Sequence, residues 1–119
     1  IIDAGMNDLI RPALYDARHE FIPVLWSSDQ DSNIKVDVVG PICESSDVFS
    51  RKLVLPRLGS GDLIAIYSAG AYGAVMASEY NTRPLIPELI VKENRSSIIR
   101  SRPDILETIN RDQIPYWLR

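Results

Sequence analysis

Apolar residues in this chain come in short runs, each closed by glycine, proline or a polar cluster. Runs of about five or six residues bounded that way read as strands; a helix would space its apolar positions three and four apart over a longer window. His19 to Leu25 is strand-like, with Pro23 marking an edge or a bend. Lys35 to Gly40 alternates loosely, and Leu53-Val54-Leu55 is a short strand stopped by Pro56. Gly59-Ser60-Gly61-Asp62 turns into the most apolar strand, Leu63 to Tyr67. Leu85 to Lys92 and Ser96 to Arg100 pair around a turn at Glu93-Asn94-Arg95. Ser27 to Asn33 is polar and turn-rich, a surface loop. Ile1-Ile2-Asp3-Ala4-Gly5 reads as the end of a buried strand, so the chain is expected to be the C-terminal piece of something longer.

Helical signals are few and brief. Asn7 or Asp8 is placed to cap a short helix through Leu9, Ile10, Leu14 and Tyr15, and Pro12 restricts it to about one turn. Pro103, Asp104 and Glu107 mark the start of a second helix with Ile105, Leu106 and Ile109 on one face. Pro115-Tyr116-Trp117-Leu118 is expected to pack the tail down. About seven or eight short strands with two or three short helices close most naturally as a Greek-key β-sandwich or barrel. The expectation is a mainly β fold, one domain over residues 1–119.

Composition narrows the function classes. A hydrophobic fraction of 45% with 24% charged residues describes a globular chain. The net charge of −3, with both signs interspersed, leaves no electrostatic footprint for nucleic acid or anionic lipid. No apolar run approaches the roughly 18 residues of a membrane span. The single cysteine cannot form an internal disulfide, which fits a reducing cytoplasmic compartment. His19 has no second histidine or nearby cysteine at ligand spacing, so no metal site is expected.

Chemistry concentrates in Gly40-Pro41-Ile42-Cys43-Glu44-Ser45-Ser46-Asp47, which follows the run Val36 to Val39. Gly-Pro ends regular pairing and sets Cys43 and the adjacent Glu44 on a shaped loop. A thiol with a reference pKa of about 8.5 keeps its proton near neutrality and can donate it. A lone cysteine is most often a small buried hydrophobe; Pro41-Ile42 fits that reading and Glu44-Ser45-Ser46-Asp47 does not. Arg11 and Tyr15, four apart, share a helical face, and equally fit a solvated arginine with a tyrosine against its stem. In Gly70-Ala71-Tyr72-Gly73, small residues on both sides hold Tyr72 out, or place it as a core tyrosine at a corner.

Together, the segments from Asp3 to Tyr15, from Gly40 to Asp47, and from Gly70 to Gly73 with Tyr80-Asn81-Thr82-Arg83-Pro84 resemble the C-terminal β-domain of the diaminopimelate decarboxylase family nearly end to end. These are fold-type III pyridoxal-phosphate enzymes, in which a (β/α)8 barrel carries the cofactor and a β-domain completes the site. The resemblance implies decarboxylation of meso-diaminopimelate to L-lysine, in bacterial lysine biosynthesis, by a homodimer whose cysteine loop reaches the partner's site. It implies roles as well. Cys43 matches the proton donor. Arg11, Tyr15 and Glu44 match groups that bind the substrate's distal carboxylate and amine, and Tyr72 matches a tyrosine contacting cofactor phosphate and substrate. An arginine can meet a carboxylate bidentately, which a lysine cannot. Asp47 is expected to hold the loop through backbone amides.

The lysine that forms the Schiff base belongs to the barrel, and none of Lys35, Lys52 or Lys92 sits in a matching motif. The barrel's glycine-rich cradle and Glu-Pro-Gly-Arg segment are also absent, so this chain alone is expected to be inactive. Arg18 and Thr82 depart slightly from the family pattern, and Leu85-Ile86 is less polar than it. Two rival readings stand beside this one. A related decarboxylase acting on ornithine, arginine or carboxynorspermidine is disfavoured by Glu44 and the Arg11-to-Tyr15 segment. A non-catalytic, partner-binding β-domain is disfavoured by Cys43, Glu44, Arg11 and Tyr72 occurring together.

Overall fold

The computed structural model describes residues 1–25 and 32–119. Most of the loop expected at Ser27 to Asn33 therefore lies outside the described residues. Two compact units are present, Ile1–Ala77 and Ser78–Arg119. The secondary structure is mainly β, as expected, with two one-turn α-helices.

The first unit contains α1 (Arg11–Tyr15), β1 (Phe21–Pro23), β2 (Asn33–Val39), β3 (Val48–Pro56) and β4 (Ile64–Ile66). β2 and β3 form an antiparallel pair, and β1 pairs antiparallel with β4 across the intervening hairpin. This non-sequential pairing is the kind of connection a Greek-key arrangement requires. Bonds from Val24 N–H to Leu63 O (2.9 Å) and Tyr67 N–H to Glu20 O (2.8 Å) extend the β1–β4 ladder at both ends. Leu9, Phe21, Val38, Phe49 and Leu55 make the core, drawn from the N-terminal turn and both strand pairs.

β3 is longer than its apolar run. Val36 faces Leu53 but Val38 faces Ser50, so Arg51 and Lys52 together oppose Asp37 in a bulge. Lys52 takes φ 55°, and its N–H donates to Asp37 Oδ1 at 2.7 Å. A second register shift follows between Val38 and Val39. The Asp37 side chain thus supplies an acceptor to backbone that the bulge takes off the ladder.

The N-terminus differs from expectation. Ile1 and Ile2 form no strand; Ile2 N–H makes one bond, to Val39 O, and Ile1 is exposed. Asp8 does not cap α1, whose N-cap position is Ile10 with no side-chain bond. Its carboxylate accepts instead from Gly5 N–H (2.8 Å), closing the turn that places Leu9 in the core. Two residues, Leu9 and Ile10, separate Asp8 from Arg11, and Pro12 already supplies the restricted φ of a first turn, so a side-chain cap there is dispensable.

The second unit holds a 3-10 turn at Tyr80–Thr82, the hairpin β5 (Glu88–Lys92) and β6 (Arg95–Arg100), α2 (Ile105–Ile109) and a 3-10 turn at Tyr116–Leu118. Lys92 pairs with Arg95, leaving Glu93 and Asn94 as the hairpin tip. Asp104 caps α2 by accepting from Leu106 N–H at 2.9 Å, as its position predicts. The expected packing of the tail is not found: Tyr116 and Trp117 are 87% and 67% exposed. A 3-10 turn of three residues offers too little apolar face to bury both rings.

Candidate active site

Cys43 lies on a loop that folds back on itself between β2 and β3. Gly40 N–H donates to Asp47 O (3.0 Å), Glu44 N–H to Ile42 O (2.8 Å) and Asp47 N–H to Glu44 O (3.1 Å). The loop is pinned at its two ends: Ile42 and Asp47 are buried, whereas the four residues between them, Cys43, Glu44, Ser45 and Ser46, are exposed. The cysteine is therefore not the small buried hydrophobe that its type alone suggests.

Asp47 is the buried anchor of this loop. Its Oδ2 accepts from Ile42 N–H and its Oδ1 from Met6 N–H, both at 2.7 Å. The expected backbone-amide role is thus present, with one partner inside the loop and one in the N-terminal turn. Gly40 is required here by space rather than by a bend: a Cβ would overlap both carboxylate oxygens and the Ala4 carbonyl. The sequence marks Gly40 as special, but the reason lies seven residues ahead.

Arg11 and Tyr15 occupy the two ends of α1, with Arg11 half-buried and Tyr15 exposed. The guanidinium of Arg11 lies 5.9 Å from the centroid of the Tyr72 ring, within cation–π range. Tyr72 is 62% exposed, so it is not a core tyrosine. It adopts φ 63° in a turn with Gly73 N–H bonded to Gly70 O (3.4 Å). Gly73 itself is buried against Ala69, whose carbonyl a Cβ would strike. A non-glycine residue held in the left-handed region beside a glycine is a feature that sequence does not announce. Neither does the Arg11–Tyr72 contact, between residues far apart in the chain.

The candidate residues therefore gather in two pairs. Cys43 and Glu44 share one exposed loop, and the Arg11 guanidinium lies over the Tyr72 ring, with Tyr15 one helical turn from Arg11. Asp47 links the cysteine loop to the turn that precedes α1. Among the described residues, no group of three or more His, Cys, Asp and Glu side chains is placed to hold a metal, and no helix is long and apolar enough to cross a membrane.

Residues 1–70 match the family model described as pyridoxal-dependent decarboxylase, C-terminal sheet domain. A diaminopimelate decarboxylase of Zymomonas mobilis is 47% identical over 99% of this chain and 27% of its own length. The crystal structure of diaminopimelate decarboxylase from M. jannaschii in co-complex with L-lysine superposes with a TM-score of 0.90 at 38% identity, over 99% of this chain and 26% of that one. The Helicobacter pylori enzyme complexed with L-lysine gives 0.82 at 45% identity, over 91% and 26%. The chain thus spans about a quarter of the length of these relatives and aligns with them over nearly all of its own. An exposed cysteine-glutamate loop, an arginine-tyrosine pair and a mainly β frame at this level of identity place the chain in the pyridoxal-dependent decarboxylase family, as its C-terminal sheet domain.

Proposed function

We propose that this chain is the C-terminal domain of a diaminopimelate decarboxylase, converting meso-diaminopimelate to L-lysine and CO2 with pyridoxal phosphate. The observation that carries this reading is the exposed Cys43 thiol on a loop fixed by a buried carboxylate, with Glu44 beside it. Relatives crystallised with L-lysine support the substrate class.

What this chain offers fits pyridoxal phosphate in part. Tyr72 presents an exposed phenol on strained backbone, suited to a phosphate oxygen and to the substrate. Lys35 and Lys92 lie exposed on β2 and β5, and Lys52 occupies the β3 bulge. The lysine that anchors the cofactor is accordingly assigned to residues outside this chain. When bound, the cofactor delocalises the electron pair left as the carboxylate departs.

The remaining work falls to side chains of this domain. The Cys43 S–H donates its proton to the substrate α-carbon, and the exposed sulfur takes a proton back from water. Arg11 binds the distal carboxylate through two parallel N–H bonds, with the Tyr72 ring against its face and the Tyr15 hydroxyl one turn away. Glu44 accepts from the distal ammonium. A substrate lacking either distal group leaves a charged side chain unpaired, which discriminates strongly. The setting is a cytoplasmic homodimer in which the Cys43 loop enters the partner's pocket.

The test is Cys43→Ala in the full-length protein, assayed by lysine release from meso-diaminopimelate. Turnover is expected to fall by about a hundredfold or more, with cofactor absorbance and folding retained. Normal lysine production by that variant rules out the proton-donor role.

A further inference from the structure

Arg51, Arg100 and Arg111 each rest on a carboxylate, of Asp37, Glu88 and Glu79 respectively. Arg11 does not. Among the described residues its guanidinium makes no ion pair and donates no hydrogen bond, and its partner is the Tyr72 ring, whose centroid lies 5.9 Å from Cζ. The two buried carboxylates are committed elsewhere: Asp8 accepts from Gly5 N–H (2.8 Å) and the Asn7 side-chain amide (3.0 Å), and Asp47 from Ile42 and Met6 N–H. A half-buried cation is thus held by an aromatic face in place of a counter-ion. The ring itself is fixed by its turn, in which Tyr72 takes φ 63° and Gly73 N–H bonds to Gly70 O.

We propose that the π face of Tyr72 is a positioning element for Arg11, and that this stack, separately from the Tyr72 hydroxyl, sets the preference for a ligand with a carboxylate at its distal end. This rests on the proposed decarboxylase function. The five N–H donors of a guanidinium lie in its plane, so a ring over the face orients the plane without touching the edge. That edge stays open for two parallel bonds to an incoming carboxylate. An internal aspartate or glutamate would orient the guanidinium equally well but occupy the same donors, and the ligand would have to displace it. The two parts of Tyr72 therefore divide the work: the face serves Arg11, and the hydroxyl at the ring's rim remains for the phosphate.

The experiment uses the full-length protein, with L-lysine and cadaverine as inhibitors of CO2 release from meso-diaminopimelate. The two diamines share the reacting amine and differ in the distal carboxylate. The ratio of their inhibition constants therefore reads the Arg11 edge, and a change in cofactor occupancy cancels from it. Tyr72→Phe, which keeps the ring, is expected to leave that ratio unchanged. Replacing Tyr72 by trifluorophenylalanine keeps nearly the same shape and backbone preference, but the fluorines deplete the negative face of the ring. Relative to Tyr72→Phe it is expected to move the ratio against L-lysine by about two- to fivefold, the size of an exposed cation–π contact. Tyr72→Asn, compatible with the left-handed backbone, should move it at least as far. In an Arg11→Gln background none of these substitutions should change the ratio, because the ring acts through the guanidinium. A ring that only holds the fold weakens both inhibitors alike. A ratio that stays flat between Tyr72→Phe and the fluorinated ring overturns the proposal, as does a shift already complete in Tyr72→Phe or one that persists in Arg11→Gln. Failure of the decarboxylase reading has a different signature: the parent protein releases no lysine, whereas lysine release with a flat ratio counts against the stack alone.

Discussion

Tyr72 is the residue whose conformation costs most and whose local contacts return least. A tyrosine at φ 63° pays on the order of 1 kcal/mol relative to ordinary backbone. Its ring is largely exposed, and a cation–π contact at an exposed site offsets only about 0.5–1 kcal/mol. Strain held without a compensating core contact is characteristic of positions kept for what they touch in the working protein. Asparagine tolerates the left-handed region, so Tyr72→Asn isolates the two roles. Its stability should match the parent or exceed it by up to about 1 kcal/mol in chemical denaturation, while in the proposed full-length decarboxylase lysine formation should fall at least tenfold and cofactor should bind more weakly. A variant that is both less stable and fully active contradicts the assignment. Tyr72→Phe separates hydroxyl from ring: it should keep the Arg11 contact and remove the proposed phosphate donor, so in the full-length protein cofactor affinity should drop with stability unchanged.

Among the elements, β3 carries the clearest lesson about what its residues reveal. Leu53-Val54-Leu55-Pro56 was legible as a strand because apolar residues and a proline stop frame it, yet the strand begins at Val48. The missed half, Val48 to Lys52, breaks the alternating pattern because two register shifts turn its side chains off period. Nothing in Ser50-Arg51-Lys52 signals that an aspartate on the facing strand will accept the Lys52 amide. Local signals with local partners read better by contrast: the helix start at Asp104 and the turn from Gly59 to Asp62 are where expected, each closed by its own aspartate, while the turn expected at Glu93-Asn94-Arg95 tightens to Glu93-Asn94 because Arg95 joins β6. Asp8 misled because two turns compete for it, and the nearer one, at Gly5, won. At the site, the Cys43 loop and its Asp47 anchor were readable within one motif. The Arg11–Tyr72 contact and the Met6 bond of that anchor were not, since they join residues across the fold. The bulge yields its own prediction. Asp37→Ala should cost about 1 kcal/mol, the worth of a hydrogen bond. Lys52→Val should be less stable than Lys52→Gly by about 1–2 kcal/mol, because a branched side chain resists φ 55°. Equal stability of those two variants means the bulge does not persist in solution.

The whole chain divides its apolar residues unevenly. In Ile1–Ala77 a cluster of buried side chains joins the N-terminal turn to both strand pairs. In Ser78–Arg119 the hairpin residues Leu89, Ile90, Val91, Ile98 and Ile99 are all more than half exposed, on both faces, and α2 buries no residue. Ion pairs such as Arg100 with Glu88 and Arg111 with Glu79 (each 2.5 Å) lie at the surface and stabilise weakly. A two-stranded hairpin with no covered face is marginal in water. Relatives are about four times as long as this chain, and in the proposed decarboxylase the additional chain is what would cover these residues. Limited proteolysis should therefore cut the isolated chain first within residues 78–119 and leave the first unit standing, whereas the full-length protein should resist at the same sites. Supplying the remaining segment as a separate polypeptide should restore that resistance together with lysine release. First cleavage within residues 1–77, or lysine release by the isolated chain, contradicts this division, because the one places the weak region where the core is and the other leaves the absent cofactor anchor without a role.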